Sequence, residues 1–289
     1  MKLLFPIFCA LLLLSFGVDD VKPKILSIEQ VILNPNFKVS ILSNGQYSGK
    51  SIQLKVVSKN KKDVEVMIPA GTLFYTSDES EQILITTDEV LLAVTKMRTK
   101  NKTLDGYCTE SSDRAPSTEA KMAFKSCDNE KLLRLVDFIN KHPALDHDNI
   151  QEAVWCITNR NSISNIFSDK RKSVVDLKKE VASIMGVEIP WHELKRSLGT
   201  SDDGYVMPEP VMVKGEIEFE TTKDVVLQGK IVDLENNELY TYPYTFTIPK
   251  TKSAMLEFNL EVQGWGSGKY FVVYADQDGK EYLKKEFTL

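Results

Sequence analysis

Asp128-Asn-Glu-Lys-Leu-Leu-Arg-Leu-Val-Asp-Phe-Ile139 is where the chain changes period. Leu132, Leu135, Val136 and Ile139 fall at i, i+3, i+4 and i+7, one apolar stripe of a helix that Asp128 is placed to cap and Pro143 to end. A second helix follows, with Asp148 or Asn149 as its cap and Ile150, Ala153, Val154 and Ile157 as its stripe. The third, Ser173–Met185, carries Val174, Leu177, Val181 and Ile184 and stops at Gly186.

Upstream of this switch the pattern is that of strands. Ser51–Ser58, Val64–Thr76, Gln82–Thr86 and Glu89–Thr95 alternate or run apolar and are rich in Val, Ile and Leu, so they read as four strands of one sheet system. Asn44-Gly45, Pro69-Ala70-Gly71 and the acidic stretch Asp78–Glu81 punctuate them. Downstream, between Pro190 and Pro210, periodicity is lost and Gly199, Ser201, Asp202, Asp203, Gly204 and Pro208 gather, the composition of a linker. Beyond it Gly215–Thr221, Val225–Asp233, Tyr240–Ile248, Met255–Val262, Tyr270–Ala275 and Glu281–Leu289 alternate between turn signals, as in a small antiparallel β-sandwich. The expected fold class is therefore α+β: a β-rich and helical module over 18–199, a linker over 200–210 and an immunoglobulin-like β-sandwich over 211–289.

Residues 1–17 read as a secretory signal peptide. Lys2 precedes the apolar run Leu3–Phe16, which is short for a bilayer span, and Ser15 and Gly17 give the small-x-small pattern of a cleavage site before Asp19-Asp20. The expected location is thus secreted, periplasmic or cell-surface, with no transmembrane helix after cleavage. Without Lys2 the chain holds 35 Lys+Arg against 41 Asp+Glu, a net charge of 35 − 41 = −6 with the signs mixed, which argues against nucleic acid and anionic membranes as partners.

Cleavage removes Cys9 and leaves Cys108, Cys127 and Cys156, so at least one has no partner within the chain. One reading is a disulfide between Cys108 and Cys127, with Cys156 an inert buried thiol. A second uses the neighbours. Cys108 lies in Gly106-Tyr-Cys-Thr-Glu110, and Gln151 opens a helix in Ile150-Gln-Glu-Ala-Val-Trp155. An aromatic-Cys-x-acidic motif followed by Gln-x-Ala-Val-Trp resembles the thioester domains of bacterial surface adhesins, over roughly residues 106–158. The resemblance implies an internal thioester between the Cys108 thiol and the Gln151 side chain, open to attack by an amine, with Tyr107 and Trp155 as walls of the site. It also implies a protein or glycan ligand on a surface, and no cofactor.

His142, His147 and His192 do not make a metal site by spacing, and no hydrolase elbow, zinc helix or phosphate loop is present. A cysteine-dependent hydrolase built on Cys108 is a third reading, although no histidine is singled out for it; the protein is expected not to be an enzyme. The terminal Gly268-Lys-Tyr-Phe-Val-Val-Tyr274 and the Lys-rich last strand resemble the immunoglobulin-like modules that end exported Bacteroidetes-type proteins.

Overall fold

The computed structural model describes residues 23–289; the expected signal peptide lies outside them. The chain runs β1 (Lys24–Ser27), α1 (Ile28–Leu33), β2 (Phe37–Ser43), β3 (Ile52–Ser58), β4 (Val64–Ile68), β5 (Thr72–Tyr75), β6 (Leu84–Ile85), β7 (Val90–Val94), β8 (Thr99–Leu104), β9 (Tyr107–Cys108) and β10 (Ala123–Ser126). Helices α2 (Glu130–Asn140), α3 (His147–Asn159) and α4 (Lys172–Met185) follow. Then come β11 (His192–Thr200), β12 (Val206–Thr221), β13 (Val225–Val232), β14 (Glu238–Ile248), β15 (Thr251–Glu261), β16 (Lys269–Ala275) and β17 (Glu281–Thr288).

The α+β expectation is corrected by this order. Strand accounts for 45% of the described residues and helix for 18%, in several small sheets, so the fold is β-rich. Two features hid the extra strands. β2, β8 and β10 carry lysines and serines on an exposed face, and β9 holds only two residues, too short to show a period. The four strands expected in one sheet system are divided among three sheets, ordered β1-β4-β7, β2-β3-β8 and β10-β5-β6-β9. Val64–Thr76 is two strands, broken at Pro69-Ala70-Gly71; Gly71 at φ +81° supplies a backbone turn that L side chains disfavour.

The sheet β10-β5-β6-β9 is a partition. Leu73, Ile85 and Tyr107 lie level across it and join the core made by α2, α3 and α4. Their neighbours Phe74, Leu84 and Cys108, also in register, join a second core with Val56, Val66 and Leu92 from the other two sheets. Period-two alternation therefore sends adjacent residues of one strand into different cores.

The stretch read as a linker is a β-hairpin. β11 and β12 pair from His192↔Gly215 to Thr200↔Val206, with the turn at 201–205. β12 continues to Thr221 and pairs with β15, giving the sheet β11-β12-β15, which faces β14-β13-β16-β17 across one core containing Val213, Phe258, Leu227 and Val272. Among the described residues no helix is long and apolar enough to cross a membrane.

Candidate functional site

Cys108 closes β9, an edge strand. Leu84 and Ile85 of β6 face Cys108 and Tyr107 on one side, and Thr109 N–H donates to Ile83 O. Gly106 lets this strand come in close, because a Cβ there would lie 2.6 Å from Ser51 Oγ, which donates to the Gly106 carbonyl. The N–H and C=O of Cys108 point away from β6, and an edge strand must find partners for them elsewhere.

Gln151 supplies them. Its Oε1 accepts from Cys108 N–H at 3.0 Å, and its Nε2 donates to Cys108 O at 2.8 Å, so the side-chain amide pairs with the strand as a peptide group would. The Cys108 N–H is shared with the Tyr47 carbonyl at 2.9 Å. Helix α3 brings Gln151 there: Asp146 caps it by accepting from Asn149 N–H, and Ile150, Ala153 and Val154 anchor it in the helical core. Trp155, one turn after Gln151 on the same face, lies against Tyr47 with ring centroids 6.4 Å apart. Cys108, Gln151 and Trp155 are fully buried.

Burial is also the main influence on the thiol, pushing Cys108 well above the ordinary thiol range, with the Glu110 carboxylate adding to it. Glu110 itself is raised by burial, while its oxygens accept from Thr109 Oγ1 at 2.7 Å and Ile83 N–H at 2.8 Å.

Of the residues expected at the site, Cys108, Gln151 and Trp155 come together. Tyr107 does not wall the sulfur: it faces the helical core, where its hydroxyl meets His147 Nδ1 at 2.8 Å. The aromatic beside Trp155 is Tyr47, in the loop before β3, a position no periodicity marks. The disulfide candidates are corrected as well, since Cys108, Cys127 and Cys156 are all free thiols. Cys127 follows β10 and Cys108 ends β9, with two strands between them. Three strand spacings of about 4.8 Å exceed the roughly 7 Å between Cα atoms that a disulfide allows. Cys156 is buried in the helical core, its thiol directed at Ser162 O and pushed up to about 12 by desolvation. His142 stacks on Phe138, and His192 is buried beside Trp191 and Phe287, so neither joins Cys108.

Sequence reasoning missed the buried pair behind Gln151. The Glu152 carboxylate takes a two-pronged contact from Arg196 of β11, with Nε at 3.0 Å from Oε1. Burial lifts the Glu152 carboxyl and the Arg196 guanidinium works against that rise.

In sequence the chain matches no family model and no curated protein. In structure it is similar to red sea bream transglutaminase, at 8% identity and a TM-score of 0.21 over 89% of this chain and 31% of that one. It is also similar to a β-glucosidase from Kluyveromyces marxianus in complex with glucose, at 10% identity and a TM-score of 0.21 over 82% of this chain and 44% of that one. The chain thus spans less than half the length of either, and at such scores neither likeness bears on fold or chemistry.

Proposed function

We propose that this is an exported surface-binding module in which Cys108 and Gln151 form an internal thioester for covalent attachment to an amine-bearing partner. The reading rests on one observation: the Gln151 amide, 43 positions from Cys108 in the chain, makes both of its hydrogen bonds to the Cys108 backbone in a water-excluded site. That contact holds the acyl group to one residue, the proximity such a condensation needs.

The step balances without a co-reactant. The Cys108 sulfur adds to Gln151 Cδ, a C–S bond forms, the C–N bond breaks, and the thiol proton leaves with the amide nitrogen as ammonia. Negative charge developing on Oε1 is met by Cys108 N–H, the donor it already holds, in the manner of an oxyanion hole. An amine from a partner then attacks the thioester carbonyl, restoring the thiol and leaving a substituted amide on Gln151. The raised thiol pKa makes deprotonation the costly part of the first step and makes the sulfur a protonated leaving group in the second.

Intact mass tests this. A purified chain one ammonia lighter than its sequence, gaining one methylamine when that amine is added, supports the reading, and Cys108→Ala abolishes both changes. A full mass unaffected by methylamine overturns it, and leaves Gln151 as the cap of a strand edge in a non-covalent binding protein.

A further inference from the structure

The hairpin β11–β12 touches the three chain segments that surround the buried Cys108–Gln151 pair. On α3 it holds Glu152, the residue after Gln151, through Arg196. In the loop before β3 it holds Tyr47, whose hydroxyl donates to Leu198 O at 3.3 Å and whose own carbonyl accepts from Cys108 N–H. In the loop after β9 it holds Ala115, whose N–H donates to Gly204 O at 2.9 Å, beside an antiparallel bridge between Arg114 and Tyr205. Each contact is a hydrogen bond or ion pair between the hairpin and a segment that also packs on, or directly adjoins, one member of the reactive pair.

We infer that this hairpin is a gate over the Cys108–Gln151 site, latched by the Glu152–Arg196 pair and moved by the two-sheet unit that carries it. The inference rests on the thioester reading for its purpose, but its geometry does not depend on it. β12 is one unbroken strand whose first half forms the hairpin and whose second half pairs with β15, so a tilt of the two-sheet unit is transmitted along the strand to Arg196. A gate of this kind keeps water from a stored acyl group until a partner engages the two-sheet unit. The partner it fits is one that presents a primary amine and also contacts β11–β17, since binding to that unit is what would release the latch. Of the three contacts the latch is the one most sensitive to opening: both charges are largely sequestered, and separating them exposes each to an uncompensated environment.

The test locks the gate. Arg114 and Tyr205 face each other in an antiparallel bridge, at the spacing a cross-strand disulfide accepts. Arg114→Cys/Tyr205→Cys is made in a Cys127→Ser background, and the same protein is compared oxidised and after a phosphine reductant. Two rates are followed: methylamine incorporation by intact mass, and iodoacetamide alkylation of the Cys108 peptide in protein whose thiol is free, either because no thioester has formed or because methylamine has already opened it. Oxidation is expected to slow both about tenfold or more, and reduction to restore them. Arg196→Met, which leaves the Glu152 carboxylate buried without its partner while the gate is shut, is expected to speed both by about the same factor. If the mass shows no ammonia loss, the thioester reading fails while alkylation still reports the gate. If ammonia is lost but neither rate responds to the lock, the gate is overturned and the thioester reading stands.

Discussion

The body up to α4 and the two-sheet unit after it are both strand-rich, yet they solve the same problem differently. In the unit, strands of 7–16 residues satisfy one another's backbone groups and close on one core. In the body, strands of 2–7 residues are too short to do so, and buried side chains take up the backbone groups left over: Gln151 completes the edge at Cys108, while Ser51, Ser43 and Thr72 bond the turn and loop carbonyls of Gly106, Pro116 and Pro69. Regular ladders leave no backbone group free for chemistry; interrupted ones place a polar side chain against the backbone. The candidate site lies at such an interruption, a location where function concentrates generally.

If that contrast is sound, damage to the two regions separates. Ile231→Ala, in the core of the unit, is expected to cost about 4 kcal/mol in urea unfolding, while a protein still folded at low denaturant keeps its ammonia-deficient mass. Loss of both together would merge the two regions into one. The unit also carries a pH dependence that the body site does not share. His192 on β11 is buried, and burial holds its imidazole down at about 4. The unfolded chain therefore binds the proton first as pH falls. Stability is full above about 6.5 and declines towards 4, by about 3 kcal/mol across that window. His192→Phe is expected to flatten that slope in unfolding midpoints taken from pH 7 to pH 4. Gln151→Ala strikes the body instead: it strips Cys108 O of its partner and leaves the N–H with Tyr47 alone, for a loss of about 2 kcal/mol. It also ends any reaction with methylamine, which intact mass reads directly. Lys141→Ala, at an exposed pair with Asp137 on α2, is expected to leave the unfolding midpoint unchanged.

The three long helices were legible because each buries one stripe in the same helical core; the cap of α3 is Asp146 where Asp148 or Asn149 was expected, a shift within one turn. The strands after Gly215 were legible from alternation. β11 and the start of β12 were not, because Pro208 and Pro210 read as breakers. They are tolerated because, two apart, their missing N–H groups fall on one side of β12, and that side pairs with no strand before Met212. Arg196, in the same stretch, was lost with it. Cys108 and Gln151 were named through a family resemblance; no period or spacing in the residues joins them, since the contact runs between a side chain and a backbone far apart in sequence. Tyr47 has neither kind of signal.

The sheet β10-β5-β6-β9, walled by a core on each face, has a consequence for how the body comes apart. Melting either core strips one face of the same thin sheet and removes the support the other core leans on, so the helices and the first three-stranded sheets are bound to lose protection together. Amides of β5 and β6 should exchange only through that shared opening, whereas β13 and β16, at the centre of their own sheet, should exchange through a separate one. Tyr107 and Cys108, adjacent in the chain and facing opposite cores, would report a single event in the body from its two sides.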